Sequence, residues 1–155
     1  MFWLKTPYSE LNLSNCKSVK AGEALNAGEF VLLKKDTNTG VEVAVKPTSA
    51  EEAAKVTHIV GIVQNDMGTL DPNGFVTGYK SGEKIQVLNG VEFTVDSASF
   101  ESGTYNVSDY TGINTGGKIV ASGSAVAATG KFLRVQDYKA SGDCKLLTLK
   151  MDNIF

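Results

Sequence analysis

Residues 84–95 of this chain read KIQVLNGVEFTV, and two apolar-rich runs in them flank the dipeptide Asn89-Gly90. Asn-Gly is the strongest short-range signal for a tight turn between antiparallel strands. A two-residue turn would split the large aliphatic side chains of the two runs between opposite faces. A three-residue loop over residues 88–90, with Gly90 in the left-handed region as a bulge, places them on one face. The stretch therefore predicts a β-hairpin with a three-residue loop and one buried face.

The rest of the chain is divided in the same way, into short apolar runs separated by Gly, Asn, Asp and Ser. Such spacing is typical of strands and turns. The second clear hairpin joins Glu29–Lys35 to Val41–Lys46, and in the latter Val41, Val43 and Val45 share one face. Weaker strands are predicted at residues 104–107, 118–121, 130–137 and 145–151. Two Gly-, Ser- and Ala-rich stretches, residues 111–117 and 121–130, predict long surface loops.

One short helix is predicted at residues 48–55. Thr48 and Ser49 are both good N-cap residues, and Glu51 and Glu52 follow each of them by three positions, as in a capping box. The segment is too short for more than two turns. The nearly continuous apolar run that follows, residues 57–63, is typical of a strand covered on both faces.

Length and strand spacing together predict the fold class. A chain of 155 residues with 42% apolar residues forms one domain and buries about two thirds of its unfolded surface. Strands and turns that recur about every 8 to 12 residues favour a sandwich or small barrel over a βαβ fold. We predict an all-β fold, a single small β-barrel or sandwich of about eight to ten short strands. An extended N-terminal arm, residues 1–16, precedes the barrel domain, residues 17–155.

Charge and hydropathy exclude several classes of partner. The net charge is −2 and Arg134 is the only arginine, so we expect no nucleic-acid partner. No apolar run approaches the roughly 20 residues of a membrane span, so we expect no membrane partner. No apolar signal region develops before Lys5 and Pro7, which predicts synthesis in a cytoplasm. There, Cys16 and Cys144 are expected to be reduced packing residues rather than a disulfide.

Catalytic, metal and cofactor sites are not predicted. His58 is the only histidine, and its place in an apolar run indicates a half-buried packing residue. Gly112–Lys118 has the spacing of a phosphate loop, but Ile119 stands where Ser or Thr would hold magnesium and a strand pattern follows instead of a helix. Asp66–Gly74 holds oxygen ligands without the Gly and Glu that an EF-hand requires, which predicts a turn. We therefore expect no enzyme and no cofactor.

The two ends of the chain carry the candidate interface residues. Phe2, Trp3, Leu4 and Tyr8 are concentrated in a segment without strand or helix pattern. Large aromatic side chains at an exposed end need a groove. The arm either folds back on its own barrel or docks on a neighbouring subunit. Phe155, at the opposite end, raises the same question.

A family resemblance adds a functional expectation. It is carried by the segments Lys20–Glu23 (KAGE), Ala27–Leu33 (AGEFVLL), Val60–Val63 (VGIV) and Tyr79–Val87 (YKSGEKIQV). These resemble the small β-barrel proteins that decorate the heads of tailed phages, in which Ala-Gly-Glu before an apolar strand, Gly-Ile-Val and Gly-Glu-x-Ile/Val-x-Val recur. The strands after residue 95 lie outside the resemblance.

The resemblance implies a structural virion protein without catalytic residues. Such a capsid decoration, or cement, protein is made in the host cytoplasm and sits on the outer surface of the phage head. It often forms a homotrimer at local three-fold positions, where it bridges copies of the major capsid protein and stabilises the mature shell.

Two alternatives from other functional classes stay open. A head-fibre or tail-associated module would recognise a receptor or glycan through the loops of residues 111–130. An enzyme would need a buried carboxylate pair about 5 to 9 Å apart. The candidates for that pair are Asp66, Asp71, Glu83 and Glu92.

Overall fold

In the computed structural model of the chain, the regular secondary structure is almost entirely β-strand and surrounds two apolar cores. The structure describes residues 2–6, 10–11, 15–61, 69–70, 76–121 and 133–151. These residues form fourteen strands and one helix. The all-β prediction is confirmed, with more strands than expected because several have only two or three residues. In chain order the elements are β1 (Phe2–Leu4), β2 (Cys16–Ala21), β3 (Leu25–Asn26), β4 (Phe30–Lys35), β5 (Glu42–Val45), α1 (Ala50–Ala53), β6 (His58–Val60), β7 (Thr69–Leu70), β8 (Val76–Tyr79), β9 (Lys84–Leu88), β10 (Glu92–Asp96), β11 (Tyr110–Ile113), β12 (Ile119–Val120), β13 (Leu133–Ser141) and β14 (Cys144–Met151).

Five strands close into a small barrel in the order β2-β5-β4-β6-β9. β4 and β5 form the predicted hairpin, in which Leu32 lies opposite Val45. In its turn the Asp36 carboxylate accepts hydrogen bonds from the Asn38 N–H and the Thr39 hydroxyl. β2 closes the ring because it pairs antiparallel with β9 and parallel with β5.

A six-stranded antiparallel sheet packs against the barrel, in the order β1-β10-β14-β13-β11-β12. Its longest strands, β13 and β14, form a hairpin that turns at Gly142. A β-bulge interrupts β13 between Val135 and Asp137. β1 lies at one edge of this sheet, which leaves its outer side without a strand partner in the described part of the chain. The short strands β3, β8 and β7 form a third sheet.

The predicted hairpin over residues 84–95 is wrong. β9 pairs with β2 and β6 in the barrel, whereas β10 pairs with β1 and β14 in the six-stranded sheet. Gly90 does have the predicted left-handed φ, 63°, but there the chain passes from one sheet to the other. β9 is covered on both faces, with Val87 inside the barrel and Leu88 in the core shared with the sheet. The predicted register assumed that only one face of each strand is buried. Because the chain has two cores and β9 contacts both, the pattern of its apolar side chains does not specify a hairpin register.

β4 and β6 are likewise covered on both faces. Phe30 and Ile59 belong to the core between barrel and sheet, whereas Val31 and Val60 belong to the barrel core. The prediction of a doubly covered strand is therefore confirmed over residues 58–60. The remainder of that run, beyond Gly61, lies outside the described residues.

The predicted helix is confirmed as the single turn α1. Ser49 is its N-cap and accepts a hydrogen bond of 3.1 Å from the Glu52 N–H through its hydroxyl. The Thr48 hydroxyl donates to the Glu52 carboxylate. Ala53 is the buried residue of the turn.

The strand predicted at residues 104–107 is a loop. It is irregular because Tyr105 turns inward. The ring centre of Tyr105 lies 5.4 Å from that of Phe100 and 5.6 Å from that of Tyr138. At the tip of this loop Val107 is 63% exposed. The strand predicted at residues 118–121 is confirmed as β12. Those predicted at 130–137 and 145–151 are confirmed, where described, as β13 and β14.

Residues 111–113, predicted as the start of a surface loop, form the buried strand β11 between β12 and β13. Thr111 and Gly112 give no apolar pattern, so the strand was not predicted, and its burial comes from the strands on either side. Where the sequence has the spacing of a phosphate loop, a tight turn joins β11 to β12. There the Asn114 side-chain oxygen accepts hydrogen bonds from the N–H groups of Gly116 and Lys118. The loop predicted at 121–130 lies outside the described residues after Ala121.

Candidate interaction surfaces

The N-terminal segment packs on the chain's own sheet through alternate side chains. β1 pairs with β10, so that Phe2 lies opposite Val95 and Leu4 opposite Phe93. Phe2 is buried, with its ring centre 5.6 Å from that of Phe93. Leu4 packs against the same core and is partly buried. Two of the predicted interface residues, Phe2 and Leu4, thus contribute to the chain's own core.

Trp3 lies between them and faces the opposite way. Its side chain is 43% exposed on the outer face of the sheet. Its pairing partner on β10 is Thr94, and the partner of Thr94 on β14 is Thr148. The hydroxyls of these two threonines hydrogen-bond to each other at 2.8 Å. An exposed indole beside an unpaired strand edge is typical of a contact site, because it offers a large apolar surface with one hydrogen-bond donor. Tyr8 and Phe155, the other two predicted interface residues, lie outside the described residues.

Further contacts hold the arm beyond β1. The N–H groups of Lys5 and Thr6 donate to the Glu92 carbonyl, and the Thr6 hydroxyl accepts from the Glu92 N–H at 2.8 Å. The predicted boundary at residue 16 falls on the first residue of β2, Cys16. Cys16 and Cys144 are both free thiols, and burial raises the pKa of the Cys16 thiol.

A second exposed apolar surface runs along β5. We call Val41, Val43 and Val45 the valine stripe. They share one face, as predicted, and it is the outer one, because Ala44 points into the barrel core. Val41 is 46% exposed. A Cβ on Gly22 of the neighbouring chain segment would lie 2.8 Å from the Val45 side chain, so the backbone after β2 runs close against the stripe.

Strand register places lysines on both sides of the valine stripe. Val43 is the pairing partner of Lys20 on β2 and of Lys34 on β4. Lys35 and Asp36 follow along the same groove. Lys34 forms an ion pair with Glu52 outside the groove, whereas Lys20 and Lys35 form none with any residue that the structure describes. We call this surface the lysine-flanked groove.

A polar cluster lies on the barrel side of β6. His58 is buried there, with Nδ1 2.6 Å from the Thr57 hydroxyl and Nε2 3.4 Å from the Asn89 amide nitrogen. That amide donates to Nε2 only while the ring is neutral. Burial, the largest cause, and nearby Lys17 together lower the pKa of His58 to about 4, although Glu42 partly opposes them. His58 is therefore a neutral packing residue at pH 7, more completely buried than predicted.

This burial predicts an acid-sensitive fold. The unfolded chain protonates His58 near pH 6.5, but the folded chain only near pH 4, so stability is lost as the pH falls through this window. The shift corresponds to about 3 kcal/mol, and solvent near the cluster reduces this to about 2 kcal/mol. Urea unfolding at pH 7 and pH 4.5 measures the loss, which should be smaller in His58→Gln. Carboxylates titrate in both proteins and cancel, so equal losses in the two would contradict this explanation.

Of the candidate carboxylates for an enzyme, Glu83 precedes β9 of the barrel, whereas Glu92 lies on β10 of the six-stranded sheet. Asp66 and Asp71 lie outside the described residues. The Glu83 side chain accepts a hydrogen bond of 3.1 Å from the Lys80 N–H within its own turn. No group of three or more His, Cys, Asp or Glu side chains in the described residues is placed to hold a metal ion. The expectation that the chain is not an enzyme stays a prediction.

The receptor-binding alternative gains no specific support. Of the loops proposed for it, residues 111–113 are buried in β11 and Asn114–Gly117 form a four-residue turn. Most of the second loop lies outside the described residues. Recognition of a receptor or glycan there stays a prediction.

Sequence reasoning missed the lysine-flanked groove, although the signal was present. The interior of a five-stranded barrel is narrow, so it has room only for small side chains or for a small number of them. Ala44 lies between Val43 and Val45 on β5, and Val41 precedes them at the same interval, which indicates that the alanine faces inward and the valines face outward. The flanking lysines depend on pairing with β2 and β4, and this was not predictable from β5 alone.

Comparisons with known proteins leave the family open. No protein-family model matches the chain, and no curated protein matches it significantly.

Among the described residues, no helix is long and apolar enough to cross a membrane.

Proposed function

We propose that the chain is a structural virion protein that decorates the head of a tailed phage. It binds the outer surface of the shell, with the major capsid protein as its partner, and bridges neighbouring capsid subunits. The all-β fold with a small closed barrel supports this, together with the resemblance of residues 20–95 to decoration proteins. Neither nucleic acid nor membrane is a partner in this proposal.

The orientation of Trp3 is the observation that carries the proposal. Phe2 and Leu4, on either side of it, are anchored in the core, so the exposed indole is held in place before any partner arrives. Binding then costs little conformational entropy. Tryptophan is among the residues that most often dominate the energy of protein interfaces.

Shell stabilisation follows from linkage. A protein that binds the mature shell and not the opened one stabilises the mature form by an amount that grows with its concentration relative to its Kd. Each bound oligomer holds several capsid subunits at once, so individually weak contacts combine into strong retention. No chemistry at the site is required.

Co-sedimentation with mature heads of the encoding phage, purified without this protein, tests the proposal. We expect the wild-type protein to sediment with the heads, and Trp3→Ser to weaken its apparent affinity at least tenfold. Val107→Ser removes an exposed side chain in a distant loop and serves as the matched control, with less than a twofold change. Absence of wild-type protein from the head fraction would contradict the proposal.

The oligomeric state is tested separately by light scattering over a hundredfold concentration range. We expect a homotrimer whose dissociation constant rises in Trp3→Ser. A point variant is required because removal of residues 1–16 would also take Phe2 out of the core. A wild-type monomer throughout the range would contradict the trimer.

A further inference from the structure

We infer that the lysine-flanked groove binds an extended, acidic segment of a partner protein, with aliphatic side chains seated on the valine stripe. The inference rests on the proposed function only for the partner's identity, a capsid subunit. The chemistry of the segment follows from the groove itself.

The floor of the groove suits an extended chain. Val43 and Val45 on β5, and Val41 directly before the strand, recur at every second position. A second extended chain laid along β5 repeats its side chains at the same interval, so alternate residues of that chain meet the three valines. At Gly22 the absence of a side chain lets the backbone pack directly against Val45, because a Cβ there would lie only 2.8 Å from the valine side chain.

The sides of the groove define the charge of the occupant. Lys20 on β2 and Lys34 on β4 are the pairing partners of Val43, so they lie on either side of it. Lys20 and Lys35 have no ion-pair partner among the described residues, and the carboxylate of Asp36 is engaged in the β4–β5 turn. Carboxylates placed between the aliphatic positions of a bound segment would meet these ammonium groups. The groove is therefore complementary to an acidic segment, although the chain as a whole carries a net charge of −2.

The same residues favour a protein segment over a nucleic acid. None of the residues that line the groove is aromatic or arginine. Bases would find no ring on which to stack, and phosphates no bidentate donor. The valine floor, in contrast, is matched to aliphatic side chains.

Titration of the full-length protein with a defined peptide tests the inference. The probe is a capped octapeptide of alternating Glu and Val. The first control replaces its Glu residues with Gln, and the second is a 12-nucleotide oligothymidylate. Binding is followed by the backbone amide signals of β2, β4 and β5 in two-dimensional NMR. We expect saturable shifts confined to these strands, an affinity that falls with added salt, and at least tenfold weaker binding of the Gln peptide.

Two variants locate the site. Lys20→Gln combined with Lys35→Gln should weaken binding of the acidic peptide at least tenfold, and Val43→Thr, which keeps the side-chain shape, at least threefold. The matched control, Lys145→Gln with Lys150→Gln on β14, removes two positive charges from the six-stranded sheet and should change binding less than twofold. Equal effects of the two double variants, or no shifts in the wild type, would overturn the inference. Equal or tighter binding of oligothymidylate would overturn it in favour of a polyanion site.

The inference and the proposed function can fail separately. If the peptide binds in the groove but heads do not recruit the protein, the groove stands and the proposed function fails. If heads recruit the Lys20→Gln, Lys35→Gln variant as well as they recruit the wild type, and the peptide does not bind, the inference fails and the proposed function stands.

Discussion

Replacement of Phe93 with Ala is expected to lower the free energy of unfolding by about 4 kcal/mol. Phe93 is completely buried, and its ring centre lies 5.6 Å from that of Phe2 and 6.0 Å from that of Phe30. It therefore joins the arm, the barrel and the six-stranded sheet in one core. Truncation removes buried apolar surface. It also leaves a cavity that the arm, the barrel and the sheet cannot fill by moving inward.

Urea unfolding of the wild type and of Phe93→Ala measures this cost. Thr94→Ala is the control, because the neighbouring side chain lies on the outer face of the same strand, and a loss of about 1 kcal/mol is expected for its hydroxyl pair with Thr148. If Phe93→Ala cost no more than Thr94→Ala, the shared core between barrel and sheet would be contradicted.

Gly28→Ala is expected to destabilise the protein by about 3 kcal/mol and to release the arm. Gly28 has a φ of +87°, which costs about 1 kcal/mol for alanine. Its new Cβ would also lie 2.7 Å from the Cβ of Phe2. That atom is fixed to the β1 backbone, so the whole strand must move and core contacts of Phe2 are lost.

Gly82→Ala provides a matched control for the backbone strain alone. Gly82 has nearly the same φ, +88°, and no atom stands within 4 Å of a Cβ built there, so a loss of about 1 kcal/mol is expected. The emission of Trp3, the single tryptophan of the chain, reports on the arm and should change in Gly28→Ala only. Equal losses in the two variants, with unchanged emission, would contradict the docking of β1 against Gly28.

Local signals predicted the local parts of the fold. The β4–β5 hairpin follows from apolar alternation and from the turn in which Asp36 accepts hydrogen bonds from the residues that follow it. The helix begins at Ser49 because a hydroxyl there caps the Glu52 N–H. Both features depend on residues a few positions apart, so the sequence contains most of the information.

The errors arose where distant segments determine the structure. The Asn89-Gly90 turn has the expected backbone at Gly90, but β9 and β10 join different sheets, in which each pairs with a strand far along the chain. Thr111 and Gly112 carry no apolar signal, yet β12 and β13 enclose them in a sheet.

The candidate interaction surfaces also combine features that the local sequence shows with features that depend on distant segments. The aromatic character of the arm was visible in its composition. That Phe2 faces inward and Trp3 outward is decided by pairing with β10, about 90 residues away. The lysines beside Val43 likewise meet only when the barrel closes.

Cryo-electron microscopy of mature phage heads, with and without added protein, tests whether the chain binds the outer surface of the shell. We expect additional density on the outer surface at local three-fold positions, into which three copies of the barrel and sheet fit, with Trp3 in contact with a capsid subunit or with another copy of the chain. Heads without such density at saturating protein concentration, or density in which Trp3 faces only solvent, would contradict the proposed function.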